Sequence, residues 1–302
     1  MPMPASDPSP DHQTPLRIEV ALAPALLAPG VPRGETVFIV VDVIRATTSL
    51  CVLFERDAAA VLVAPDIEMA RALAPEIDAS LDVNGGPRVF LAGEVGGARP
   101  DGFDYGNSPA ELARTLLRGR SVLFATTNGT RAIRACAGGR AILAGALRNA
   151  QAVAAAALDA LPSTSTAAPA SSADAGADED QHFDILIVCS GRGDQPAYDD
   201  TICTGYILRR LMEAAAARGR PVALESGAQI ALATLAGVEA GGGIRAALAQ
   251  SGAYQAIARI GLAGDLNWCA ATDVTAVVPR VVEYLPGHDL YVMRARDDAS
   301  QG

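Results

Sequence analysis

Six times along this chain a short apolar run rich in β-branched residues gives way to a segment of helical character, and that alternation narrows the choice of fold more than anything else in the sequence. The runs are residues 37–43 (VFIVVDV), 59–63 (AAVLV), 88–92 (RVFLA), 121–125 (SVLFA), 141–144 and 183–189 (FDILIVC). The helical stretches that follow them are 49–56, 67–73, 109–118, 131–136, 150–158 and 201–218. Uninterrupted apolar strands suit a sheet covered on both faces, and strands separated by helices suit parallel pairing. The expected fold is therefore α/β, a three-layer α/β/α arrangement around a largely parallel or mixed sheet. Toward the end, Gly241, Gly242 and Gly243 separate two further helical stretches, and residues 277–293 (VVPRVVEYLPGHDLYVM) read as closing strands. Pro279 cannot donate to a ladder, so it marks the first of these as an edge or interrupted strand.

Residues 1–15 are rich in proline and serine and lack both a basic segment and an apolar core, so they read as a disordered tail and not as a signal peptide. Residues 161–181 (LPSTSTAAPASSADAGADEDQ) hold too few apolar side chains to offset the entropy of ordering them and read as a disordered, solvated insertion. That leaves one α/β domain over 16–295, with room for two sub-lobes, and a short tail at 296–302. The chain has no apolar run of 18 or more residues, which is the length a membrane helix needs. Its five cysteines are odd in number, scattered and set among apolar neighbours, as expected of reduced thiols in the cytosol.

Of the 302 residues, 61 are alanine and none is lysine, so all 24 cationic side chains are arginine. Without lysine there is no Schiff base, no phosphate-binding loop of the Gly-Lys-Ser/Thr kind and no kinase-type phosphate lysine. The net charge of −10 opposes nucleic acid and anionic membrane as partners, because both require a surplus of cations. A small molecule is the expected partner. If it is an anion, it must be met by local arginines, helix N-termini or a metal ion.

Three apolar runs end in a compact polar segment just before a helix: Asp42-Val-Ile-Arg45-Ala-Thr47-Thr48, Thr126-Thr127-Asn128-Gly129-Thr130 and Cys189-Ser190-Gly191-Arg192-Gly193-Asp194. In α/β sheets such loops lie at the carboxyl ends of the strands, where ligands bind, and each following helix offers unpaired N–H groups to an oxyanion. The expectation is that the three converge on one pocket because a parallel sheet brings its strand ends to one edge. A fourth, glycine-dense segment from Gly93 to Pro109 carries Glu94, Asp104 and Asn107, oxygen donors of the hard type that Mg²⁺ prefers.

Taken together, VVDVIRATTSL (40–50), GEVGGARPDGFDYGNSPAE (93–111), TTNGTRAI (126–133), CSGRGDQPAYDDTICTG (189–205) and GLAGDLNWCAATDVTAVVP (261–279) resemble the 2-phosphosulfolactate phosphatases of the ComB type, Mg²⁺-dependent enzymes of the coenzyme M route. The chain departs from that pattern in the long insertion at 161–181 and in Asp199, where glutamate is expected before Asp200. The resemblance implies hydrolysis of a phosphate monoester of a small sulfonated or carboxylated hydroxy acid, most simply 2-phosphosulfolactate to 3-sulfolactate and phosphate. On that reading Mg²⁺ is the cofactor, with Asp42 the first-choice ligand and Glu94, Asp200 and Asp265 the next candidates. Asp42, Arg45 and Asp200 are the candidate catalytic residues. Arg45, Thr47, Thr48, Asn107, Thr127, Asn128, Gly129, Thr130, Ser190, Gly191 and Arg192 are the candidate substrate contacts, with Arg131 as a further compensating cation. The partner is a small anionic phosphorylated substrate, and a homo-oligomer is left open.

Other phosphatase chemistries find no support. No arginine completes a Cys-x5-Arg loop after Cys136 or Cys189, and Asp42 lacks the second aspartate of an Asp-x-Asp-x-Thr motif. His12, His182 and His288 lie in the tail, at the insertion border and near the C-terminus, so neither a phosphohistidine nor a Ser-His-Asp triad has a centre. The absence of Gly-x-Gly-x-x-Gly after the first strand opposes a dinucleotide enzyme. The alternative from a different class is a non-catalytic module that binds a phosphorylated or sulfonated metabolite.

Overall fold

The computed structural model describes residues 14–81, 89–162 and 182–295. The described residues contain one ten-stranded sheet made of β1 (Leu16–Ala21), β2 (Val37–Val41), β3 (Ala60–Val63), β4 (Phe90–Gly93), β5 (Ser121–Ala125), β6 (Ala141–Gly145), β7 (Ile185–Cys189), β8 (Val222–Leu224), β9 (Arg280–Leu285) and β10 (Leu290–Arg294). The spatial order is β4-β5-β3-β10-β9-β6-β2-β7-β1-β8.

The sheet is mixed in a specific way. β2 pairs in parallel with both β6 and β7, and β1 joins β7 to β8 in parallel. β5 pairs in parallel with β3 and β4. Between these two blocks lies the β9–β10 hairpin, antiparallel to β3 on one side and to β6 on the other. Counting senses across three antiparallel steps, the β3-β5-β4 block runs opposite to the block that contains β2 and β7.

Among the described residues, ten α-helices complete the three layers: α1 (Ala46–Glu55), α2 (Ile67–Leu81), α3 (Pro109–Leu112), α4 (Gly129–Ala135), α5 (Ala150–Asp159), α6 (Tyr198–Ala217), α7 (Ser226–Ala240), α8 (Ile244–Gln250), α9 (Gly252–Arg259) and α10 (Leu266–Cys269). Successive side chains of a strand point to opposite faces, and β2 shows the consequence. Val37, Ile39 and Val41 enter a core shared with α5, α6 and α7, whereas Phe38 and Val40 enter one shared with α1 and α4. The second core also takes in Val61, Val63, Val122 and Phe124 of the opposite-running block, whose other face is covered by α2. All five residues of β2 and of β7 are buried, as continuous Val, Ile and Leu runs require.

Several sequence expectations change in detail. β1, with its alternation of buried and half-buried residues, adds a strand at the very start of the expected domain that the runs from residue 37 onward do not include. Of the helix expected over 109–118, only Pro109–Leu112 is α-helical. β9 is an internal strand, not an edge, but it is interrupted. Its ladder with β6 holds one residue pair, Leu143 with Arg280, and the carbonyl of Pro279 then accepts a bond from the Ala144 N–H at 2.8 Å. The insertion at 163–181, the first thirteen residues, residue 88 of the expected third run and the tail at 296–302 lie outside the described residues.

Candidate active site

The site begins where β2 runs out. Asp42 follows the last strand residue, and α1 starts four positions later, so the intervening backbone must turn and find partners for its polar groups. The Asp42 carboxylate accepts from the Ala46 N–H at 3.2 Å. Thr47 Oγ1 donates to the Asp42 carbonyl at 2.9 Å and accepts from the Asp42 N–H at 3.2 Å. Thr48 Oγ1 donates to the Val43 carbonyl at 2.8 Å. Both hydroxyls are thus used to fasten the turn.

β7 lies beside β2 in parallel, which brings Ser190 and Gly191 next to Asp42. Asp200, in the first turn of α6, fastens the two loops together: its carboxylate accepts from the Val43 N–H at 2.9 Å, the Ser190 hydroxyl at 2.9 Å and the Gly191 N–H at 3.1 Å. Glu94, beyond β4, accepts from the N–H groups of Gly97 and Thr127 at 2.7 and 2.8 Å. After β5, Thr126 and Thr130 exchange bonds across the turn that opens α4. Asp104 turns away and accepts from the Leu91 N–H.

These loops enclose a cavity of about 510 Å³. Asp42, Arg45, Glu94, Asn107, Thr127, Asn128, Arg131, Ser190, Gly191, Arg192 and Asp200 all line it, so the three strand-end loops do meet. They meet for a different reason from the one expected. β5 runs opposite to β2 and β7, and its loop reaches the cavity because both blocks share a core with α1 and α4. Thr47, Thr48, Gly129, Thr130 and Asp265 stand behind the lining. Asp265 is buried and occupied, accepting from Arg45 Nη1 at 3.0 Å, from the Ser108 hydroxyl at 2.6 Å and from the Ala110 N–H at 3.3 Å.

Sequence reasoning missed two contributors. Asp199 lines the cavity at 4% exposure, and its signal was the Asp-Asp pair that opens α6 after a glycine-rich loop. The other is α9, whose Gly252, Ala253, Ala256 and Ile257 supply part of the wall and carry no local motif.

Three buried aspartates give the cavity its electrostatic character. Burial pushes the Asp42 carboxyl up to about 6, with repulsion from Glu94 adding and the Ala46 N–H, Ser190 and Arg45 opposing. Burial and repulsion from Asp42 push Asp199 up to about 7, partly offset by Arg192. Burial and the neighbouring Asp199 and Asp42 hold Asp200 well above the ordinary carboxylate range. Three such groups resist ionising together unless a cation joins them.

Among the described residues, no three His, Cys, Asp or Glu side chains form a ready-made protein cage for a metal. Mg²⁺ does not require one, because it takes one or two carboxylates and keeps water and substrate oxygens for the rest. The donor set fits that habit. Glu94 and Asp200 have both carboxylate ends engaged by short bonds from protein donors, whereas Asp42 meets the Ala46 N–H at 3.2 Å and the Ser190 hydroxyl, which it shares with Asp200, and among the described residues Asp199 meets its own backbone N–H. A third hard oxygen is nearby, since Asn107 Oδ1 is buried in the cavity wall with no partner among the described residues.

With that geometry in place, comparison with known proteins is decisive. The family model for 2-phosphosulpholactate phosphatase matches residues 26–284. The chain belongs to this family. It is 35% identical over 276 residues to a probable 2-phosphosulfolactate phosphatase of Deinococcus radiodurans, covering 91% of this chain and 96% of that one. Relatives of the same description from Thermus thermophilus, 32% identical over 80% of this chain and 86% of the relative, and from Symbiobacterium thermophilum, 30% identical over 82% and 91%, extend the likeness. Members of the 2-phosphosulpholactate phosphatase family are phosphoric monoester hydrolases, and the matched span takes in every lining residue of the cavity.

Proposed function

We propose that this chain is an Mg²⁺-dependent phosphatase that hydrolyses the phosphate ester of a small sulfonated or carboxylated hydroxy acid, 2-phosphosulfolactate being the first candidate. The observation that carries the reading is the crowding of Asp42, Asp199 and Asp200 into a cavity that also holds arginines. A binding module for anions gains nothing from three buried carboxylates, which repel its ligand. A phosphatase that uses a divalent cation needs them.

Asp42 and Asp199 would hold the ion, with the Asn107 carbonyl oxygen as a further donor. When bound, Mg²⁺ supplies Lewis-acid polarisation of the phosphoryl oxygens and acidifies water at neutral pH. The Arg192 side chain makes no hydrogen bond or ion pair among the described residues and is exposed at the cavity, so its planar donor fork is free for a carboxylate, sulfonate or phosphate. Arg131 is held by Asp194 and the Gly193 carbonyl, which ties the β7 loop to α4 beside it. Asp200 acts by fixing Val43, Ser190 and Gly191, so its contribution is to the shape of the site. Ile44 and Ile257 give the wall an apolar portion that limits water around the ester.

All five cysteines are buried and free, which supports a reducing cytosolic setting. Among the described residues no helix is long and apolar enough to cross a membrane. The test is a phosphate-release screen of phosphorylated three- and four-carbon acids with Mg²⁺ and with chelator. Release that requires both Mg²⁺ and a second anionic group on the substrate supports the reading. Tight binding of these acids without any release would favour the non-catalytic module.

A further inference from the structure

The sequence reading placed Asp265 among candidate metal ligands, but its surroundings give it another task. Its side chain and that of Arg45 are 1% and 2% exposed and form an ion pair at 3.0 Å. The other carboxylate oxygen takes the Ser108 hydroxyl at 2.6 Å and the Ala110 N–H at 3.3 Å. Ser108 in turn caps α3 by accepting from the Glu111 N–H. One carboxylate therefore grips two elements distant in sequence: the loop that carries Arg45 and the turn that carries Asn107. Both Arg45 and Asn107 line the cavity, while Asp265 does not.

Stability alone does not account for such a pair. Removing two charges from water carries a desolvation cost that their attraction only partly offsets, and apolar residues of similar volume are often as stabilising. What the pair provides is direction. With Nη1 committed to Asp265 and Nη2 to the Gly97 carbonyl, the guanidinium plane is fixed in two places, and the remaining N–H groups are held without the freedom of a flexible side chain. Because Asp265 neutralises Arg45, the arginine serves the cavity as an oriented hydrogen-bond donor more than as a net charge.

We propose that Asp265 is a positioning residue, which acts through Arg45 and the Ser108 turn to hold the cavity's anion-binding donors in register. The proposal rests on the anion-binding reading of the cavity. Calorimetric binding of inorganic phosphate in the presence of Mg²⁺ tests it, with Mg²⁺ affinity measured separately. Asp265→Asn should weaken phosphate binding by about tenfold or more and, where turnover is measured, raise KM more than it lowers kcat. Mg²⁺ affinity should fall far less than phosphate affinity, since the carboxylates that would hold the ion are elsewhere and only the Asn107 turn is shared. In an Arg45→Gln background, Asp265→Asn should cost no more than the roughly threefold that passes through the Ser108 turn, because residues that act as one unit are not additive.

Ser108→Ala keeps both charges, removes the 2.6 Å bond to Asp265 together with the cap bond from the Glu111 N–H, and remains informative should Asp265→Asn fail to fold. It should weaken phosphate binding by about threefold, the value of one hydrogen bond. Unchanged phosphate affinity in folded Asp265→Asn or Ser108→Ala overturns the proposal. So does loss of Mg²⁺ affinity in Asp265→Asn, which would return Asp265 to the metal, and so does a wild type that binds no phosphate. A chain that binds phosphate but hydrolyses none of the screened esters would remove the phosphatase reading and leave this result standing.

Discussion

Gly129 opens α4 directly against the carboxylate of Asp42: a Cβ on Gly129 would lie 2.9 Å from Asp42 Oδ2 and 2.5 Å from the Ala46 Cβ. The N-terminus of one helix, the start of another and the end of β2 meet at this point with no room for a methyl group. Gly129→Ala must push either α4 or Asp42 aside. It should destabilise the fold by about 1–3 kcal/mol, as overpacking does, and cut phosphate release by a larger factor than Tm suggests. Chemical denaturation and a turnover assay on the same preparation check this. Wild-type activity would mean that the Asp42 carboxylate tolerates displacement and is not part of the chemistry.

Asp42→Asn should separate metal binding from folding. An amide is a much weaker ligand for a hard cation than a carboxylate, so Mg²⁺-dependent turnover should be lost while circular dichroism is unchanged. The substitution also removes one of three repelling carboxylates, so metal-free stability near neutral pH should hold or rise. Mg²⁺ titration by calorimetry supplies the check independent of turnover. Retained affinity would shift the ion to Asp199 and Asn107.

The raised carboxyls fix the sign of a pH effect. Asp42 and Asp199 move from an ordinary 3.8 to about 6 and about 7 in the folded chain. Between about pH 4 and about pH 7 the folded state therefore holds protons that the unfolded state has released, and linkage makes the metal-free protein less stable as pH rises through that window. Tm without metal should fall from about pH 5 to about pH 8, and Mg²⁺ should restore it most at the upper end, where the carboxylates are ionised and the fewest protons compete with the ion. A metal-free Tm that climbs over the same range would contradict the assignment of these two groups.

Arg192 offers the converse case, a cation at the cavity whose side chain has no hydrogen-bond or ion-pair partner among the described residues. Arg192→Ala should leave stability within about 0.5 kcal/mol, as substitutions at exposed unpartnered sites do. KM for a doubly anionic phosphate ester should rise by about tenfold, the loss of one charge-assisted contact, with a smaller rise for an ester lacking the second anionic group. Equal effects on both esters would place Arg192 on the phosphate.

How much of this was legible beforehand depends on the range of the interaction that decides it. The strands, the helices between them and the polar segments at Asp42, Thr126 and Ser190 follow from periodicity and turn chemistry over a few residues, and those segments do form the cavity. Roles within the segments were less accessible. Thr47 and Thr48 look like anion donors in the sequence, yet their hydroxyls satisfy carbonyls of their own turn, since a buried backbone must pair its polar groups first.

Sequence by itself determined that this chain builds an α/β sheet buried on both faces, that its cations are all arginines, and that three polar turns bearing glycine or threonine follow its strands. Tertiary structure alone decided that the β3-β5-β4 block runs against the rest, that Asp199 faces the cavity, and that Asp265, 220 positions from Arg45, is its counter-ion and stands behind the cavity wall. The physical reason is that periodicity is set by neighbours a few residues apart. The partner of a buried charge is set by which loops the shared core brings within 3 Å, and no local pattern encodes that distance.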